Sequence, residues 1–228
     1  MLFTPCADGV SREIVATGYT ATIETYGVGN MVWVRKQVQK NIYIHNDLAN
    51  TADHIRKRVE EMEATGNREG IALDITACLT MLAFTFESRM NFVGAKRVAG
   101  WSERRPFGKK LGNVLEKLGI TPDLTERPYS TVGELKTFRD IIAHGKPDES
   151  EIDELVESDG TFDDLATDLR GVWEAHLTVE FMRQCFEDLD AIWHDWLERA
   201  GIGRYETITH GSHEISLEEA LKAFQPKA

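Results

Sequence analysis

Cysteine and proline are scarce in this 228-residue chain, which has three of the first and six of the second. Cys6, Cys78 and Cys185 are odd in number and far apart, and the last two sit among apolar neighbours. That pattern reads as reduced, buried thiols rather than a disulfide framework, and it suits a cytoplasmic protein. Neither a CxxC pair nor an HExxH segment occurs, so the short motifs of thiol–disulfide exchange and of zinc proteolysis are missing. His210 and His213 supply two nitrogen ligands without a third at metal-site spacing, so no metal and no other cofactor is expected. Cys6 has no histidine partner in view, which leaves a thiol nucleophile unsupported. The apolar runs fall far short of the roughly 20 residues a membrane helix needs. The first residues lack the basic and apolar regions of a secretory signal. No membrane role is expected.

Positive charge is the other shortage. Lys and Arg total 26 against 38 Asp and Glu, a formal charge of −12. That balance argues against coating of duplex nucleic acid or adhesion to an anionic membrane, both of which rest on many basic contacts. The charges come in blocks, however. Lys96, Arg97, Arg104, Arg105, Lys109, Lys110 and Lys117 face only Glu103 and Glu116 in the same stretch. With Trp101 and Phe107 interleaved, this stretch is a candidate RNA-tracking surface, its plain alternative being a solvated loop and helix face. Asp148 to Asp168 holds ten acidic residues and no basic one. It reads as a solvated loop leading into a helix, or as an acidic arm able to shield the basic block.

At 42% hydrophobic and 28% charged the chain is ordinary globular material, sized for one domain, or for one domain plus an elaborated terminus. Residues 1–40 read as an N-terminal extension. Its Thr- and aromatic-rich segment Thr17–Tyr26, the turn signal Gly27-Val28-Gly29-Asn30 and Met31–Val34 suggest a β-hairpin. Residues 41–200 read as helical. Asn46 or Asp47 caps a first helix ending at Ala64, and a second spans roughly Arg68 to Val98 with Ile71, Ile75, Cys78, Leu79, Leu82, Phe86 and Met90 in one stripe. Lys109 to Leu118 and Val132 to His144 are shorter helices closed by Gly119 and Gly145. The last runs from near Phe162 to Ala200, with Val172, Leu189, Trp193 and Trp196 on its apolar face. Residues 201–228 form a tail with a small helix from Ser216, which is itself a candidate docking element. The expected class is mainly α, a helical bundle.

The segment with the most chemistry is Phe138-Arg139-Asp140-Ile141-Ile142-Ala143-His144-Gly145-Lys146. Arg139 and His144 are five positions apart, about 140° around an ideal helix, so an unbroken helix would not place them on one face. Gly145 puts His144 at a helix C-terminus, where the ring can turn toward Arg139. A guanidinium holding a phosphate oxygen in its fork beside an imidazole that moves a proton is a workable pair for phosphodiester chemistry. Arg170 with His176 and Arg204 with His210 have similar spacing. Only Arg139 is followed by a polar residue and answered by a histidine before a helix-ending glycine. Glu87 on the second helix is a candidate carboxylate partner for Arg139, and Lys146 a candidate phosphate contact.

Arg139 through His144 resembles the motif of the HEPN superfamily: an arginine, four to six residues and a histidine, usually with Asn, Asp or His directly after the arginine. The resemblance implies a helical bundle over about residues 41 to 200 that forms a homodimer with two motifs facing one cleft. For active members it implies a metal-independent endoribonuclease that leaves 2′,3′-cyclic phosphate ends, of the toxin or defence kind, with an antitoxin or other protein as partner. His144 would then be the acid or base, Arg139 the stabiliser of transition-state charge, and Asp140 the residue that orients the site. The alternative is a non-catalytic HEPN-like module for dimerisation or protein binding. A helical adaptor outside that superfamily is the third reading.

Overall fold

The computed structural model describes residues 12–16, 19–23, 35–145, alternate positions between 147 and 157, and 170–216. The chain divides into two compact units, one spanning 41–210 and one drawn from the two ends of the sequence. The fold is mainly helical: the unit spanning 41–210 is a helical bundle, and two two-stranded sheets are formed by segments near the two ends of the sequence.

In the terminal unit, β1 (Arg12–Ala16) and β2 (Tyr19–Ile23) pair antiparallel, with Arg12 opposite Ile23 and Ala16 opposite Tyr19. The hairpin therefore joins earlier in the chain than its sequence suggests, and the expected turn at Gly27–Asn30 lies outside the described residues. β3 (Arg35–Asn41) pairs with β4 (His210–Ser216), so the expected tail, residues 201–228, holds a 3-10 turn at Arg204–Thr207 and then a strand. Gly211 is needed there, because a Cβ would sit 2.8 Å from the Gln39 carbonyl oxygen. The His210-Gly211-Ser212-His213 run is thus strand backbone, with the His210 Nε2 3.0 Å from the Asn41 amide nitrogen. The expected helix beyond Ser216 lies outside the described residues.

The bundle comprises α1 (Ile44–Ala64), α2 (Ile71–Arg97), α3 (Phe107–Leu118), α4 (Tyr129–His144) and α5 (Val179–Ala200). α2 is the central helix and touches the other four. Its expected stripe is inside from Ile75 onward, with Ile71 partly buried, but Thr85, Phe92, Val93 and Gly94 are buried too, because neighbours cover several of its faces. By length and composition it alone among the described helices would suffice to cross a membrane, although Ile75, Leu79, Phe86 and Met90 are core positions of the bundle.

Two boundaries depart from expectation. α1 starts at Ile44 without a side-chain cap, and Asn46 instead donates to the carbonyls of Tyr43 and Thr207. α5 starts at Val179, where the Thr178 hydroxyl accepts the Phe181 N–H at 3.0 Å. Val172, expected on the buried face of that helix, lies in a separate 3-10 turn and is 74% exposed. The segment before residue 170 that was expected to open this helix lies outside the described residues.

His45 is buried against Tyr43, Phe92 and Trp193. Burial, and then the charge of Arg89, pull its imidazole down to about 4, against weaker raising by the Thr207 backbone and Asp47. The unfolded chain takes up this proton near pH 6.5 and the folded chain only near 4. Stability from neutral His45 is therefore present above pH 6.5 and lost as pH falls toward 4, by about 3 kcal/mol in all. Urea unfolding at pH 7.5 and 4.5 measures it: His45→Phe should lose about 2–3 kcal/mol less than wild type across that interval. Titrating carboxylates act on both proteins and cancel in the comparison.

Candidate active site on α4

α4 is anchored from its N-terminal end. Asp188 on α5, buried, accepts from Arg127 at 2.8 Å through both oxygens and from the Thr131 hydroxyl at 2.6 Å. The Tyr129 hydroxyl takes the Trp196 indole N–H at 3.1 Å. Thr131, Val132, Leu135 and Phe138 make the buried stripe, with Phe138 fully enclosed. Helical spacing then delivers Arg139 to the edge of the bundle and Asp140 and His144 to its surface.

Arg139 sits within a ladder of alternating charge. Its Nη2 lies 3.5 Å from the Glu87 Oε2, and its Nε 3.3 Å from the Asp140 Oδ1. Glu87 takes the Lys110 Nζ on its other oxygen at 2.5 Å, and Asp140 takes the Lys136 Nζ at 2.5 Å. Lys110 also donates to the Asn91 side-chain oxygen at 3.3 Å. The order is Lys110, Glu87, Arg139, Asp140, Lys136, three cations to two anions. The hydrogen bond from Lys136, and then the charges of Arg139, Lys136 and His144, hold the Asp140 carboxyl below its ordinary value. Asp140 is consequently an anion at neutral pH and no proton donor.

His144 ends α4 and is exposed, with no hydrogen bond among the described residues. With Thr137, Asp140, Ile141 and Gly145 it lines an open concavity of about 420 Å3. Among the described residues no hydrogen bond joins its ring to Arg139, whose partners are Glu87 and Asp140. Gly145 is in an extended conformation, φ −45° and ψ 122°, and leads the backbone away from the helix. Asp140 and His144 share a face at a spacing of four, while Arg139 lies on the adjacent one.

Of the expected supporting residues, Glu87 is brought to Arg139, and Lys146 lies outside the described residues. The basic block separates. Arg104, Arg105 and Lys109 are exposed. Lys96 is exposed, 6.0 Å from the Tyr43 ring centre and 5.7 Å from that of Phe92. Arg97 is spent on the C-terminus of α5, donating to the Ala200 carbonyl at 2.6 Å and to Gly201 at 3.1 Å. Lys110 is 1% exposed and turned inward, so it does not belong to an RNA-tracking surface. Trp101 packs onto Gly94, where a Cβ would meet its ring at 2.4 Å, and Phe107 lies against Phe86. Neither is a free stacking platform.

Sequence reasoning missed Lys110 and Lys136 as partners of the site. For Lys136 the signal was available, a lysine four positions before Asp140 on one helix. Lys110 gave none, since its carboxylate lies 23 residues back on another helix.

No family model, curated protein or solved structure matches this chain. The histidines of the two rival Arg–His spacings have other neighbours. His176 lies between Phe138 and Phe181, and His194 lies 3.3 Å from Arg204, whose spaced partner His210 is in β4. Among the described residues no three His, Cys, Asp or Glu side chains gather as a metal centre requires.

Proposed function

We propose that this protein is a metal-independent endoribonuclease of HEPN type, acting as a homodimer on RNA. The observation that carries the reading is His144: exposed, without a hydrogen bond among the described residues, lining an open concavity, and one helical turn from an ionised Asp140 whose neighbour Arg139 is held by Glu87. A catalytic imidazole must be reachable and free to exchange its proton.

In the reaction, His144 takes the proton of an RNA 2′-hydroxyl as that oxygen attacks the adjacent 3′ phosphorus. The bond from phosphorus to the 5′ oxygen breaks, and the leaving oxygen receives a proton from the second copy's imidazole. The products are a 2′,3′-cyclic phosphate and a 5′-hydroxyl, with no oxidant and no metal needed for balance. Arg139 answers the charge that builds on the phosphoryl oxygens, a role suited to its fork of donors. Exposed Leu73 and Phe84 on α2 and Ile142 on α4 give a second copy an apolar surface on the two helices that carry Glu87 and Arg139. The acidic balance of the chain makes indiscriminate RNA affinity weak, which fits a specific substrate or one presented by a protein partner.

The test of the nucleophile is the substrate's own hydroxyl. In EDTA, a cleavable RNA should become inert when one 2′-deoxynucleotide replaces the residue before the cut. Continued cutting at the substituted position would overturn the proposal.

A second reading is favoured by the ion pairs of Arg139. A guanidinium shared between Glu87 and Asp140 is partly neutralised, as suits a HEPN-like module that dimerises or binds protein without cutting. Under that reading the protein is inert toward RNA of every class while remaining dimeric.

A further inference from the structure

Arg89 stands two positions after Glu87 on α2, about 200° around the helix, and so enters the opposite side of the bundle, between α1, α2 and α5. Its side chain is 14% exposed. The guanidinium lies over the Trp193 ring at 5.1 Å, and Nη1 donates to the Leu189 carbonyl at 3.2 Å. Nη2 is 3.9 Å from the nearest carboxylate oxygen, on Asp190. Nε is buried with no acceptor among the described residues. A guanidinium that has left water without filling its donors is poorly compensated, and burial pulls this one down to about 10. It remains a cation at neutral pH.

Beside it is a cavity of about 320 Å3, the small end of the range for ligand pockets. Leu82, Phe186, Leu189 and Ala49 give it apolar walls, and Asn50 and Thr85 add polar atoms. Of the two carboxylates at its border, one is held by other cations and one, Asp190, is the distant partner of Arg89 itself. Asp53 is held by Arg56 and Lys57, each at 2.6 Å, while Asp190 is 59% exposed and faces the His194 Nδ1 at 3.3 Å. Arg89 supplies the cationic group of the lining.

We propose that this cavity binds a small organic carboxylate, an oxygen of which takes the Nη2 donor of Arg89 in place of the 3.9 Å approach to Asp190, while its apolar body rests on Leu82, Leu189 and Phe186. A monoanion meets the guanidinium with less repulsion from Asp190 than a phosphate dianion would. Apolar walls select an organic body over a bare ion. The site is independent of RNA cleavage and faces away from Glu87.

Benzoate is the probe, with benzamide as its neutral isostere and inorganic phosphate as the bare anion. The readout is the arginine Nε–H region of a 1H–15N spectrum of the full chain at pH 7, with the Arg89 signal identified by its absence from R89K. Benzoate should move that signal saturably, with a dissociation constant of about 1 mM or tighter. Benzamide should bind at least roughly tenfold more weakly, since it lacks the charge that Arg89 answers. Ala49→Leu, which fills the cavity and leaves Arg89 in place, should abolish the shift and decides the question if R89K fails to fold. No saturable movement by about 50 mM benzoate, equal binding of benzamide, tighter binding of phosphate, or unchanged binding in A49L would each overturn the proposal.

Discussion

His144→Ala should reduce RNA cleavage by about 10²- to 10⁴-fold, the range lost with a general acid or base, and leave the fold untouched. The residue is exposed at the last position of α4 and makes no hydrogen bond among the described residues. Exposed substitutions of this kind fall within about 0.5 kcal/mol, or about 2 °C in Tm for a chain of this length. Arg139→Gln should cost about 10²- to 10³-fold, as expected for loss of a charge-stabilising donor. Rates and melting curves on the same preparations separate the two effects. A His144→Ala protein that cuts at the wild-type rate contradicts the assignment, and one that melts far lower gives the imidazole a structural role instead.

Glu87→Ala should be the more destructive change to the fold. It removes the carboxylate from a lysine that is 1% exposed, and an ammonium stranded in the interior is costly. Loss of one partner from a fully buried pair costs about 3–5 kcal/mol. Glu87 keeps 28% of its side chain in water, so screening lowers the expectation to about 2–3 kcal/mol. That corresponds to about 5–10 °C in Tm. Lys110→Met, which places an apolar chain in the same space, should lie within about 1 kcal/mol of wild type. The double variant should recover most of the Glu87→Ala loss, and the cycle measures the coupling. If Glu87→Ala melts with the wild type, the ladder is a surface feature and does not hold Arg139.

The helical bundle was legible in the sequence because its signals are local. The α2 stripe, the glycines after α3 and α4, and the apolar face of α5 each lie within one segment. The start of α5 was not, because Val172 and Leu177 continue the apolar spacing of that helix backward past Thr178, whose capping hydroxyl is the true boundary signal. β4 was missed for a different reason. Its segment from His210 is polar and exposed, with no buried face to impose alternation.

The candidate site divides along the same line. Arg139, Asp140 and His144 are neighbours in sequence, and the glycine beside them marks the helix end. Glu87 was reachable by asking what a partly buried guanidinium requires. The basic block misled because its charges are alike in sequence and unlike in space. Arg97 closes α5, Lys110 turns inward to Glu87, and Arg104, Arg105 and Lys109 remain exposed. Only tertiary contacts separate those fates.

The most direct test of the central claim is to map RNA ends after incubating total cellular RNA in EDTA with wild type or with His144→Ala. The account predicts new 2′,3′-cyclic phosphate ends paired with 5′-hydroxyls in the wild-type sample and none above background in the variant. Equal ends in both samples, or new ends in neither across the cellular RNA classes, would contradict it.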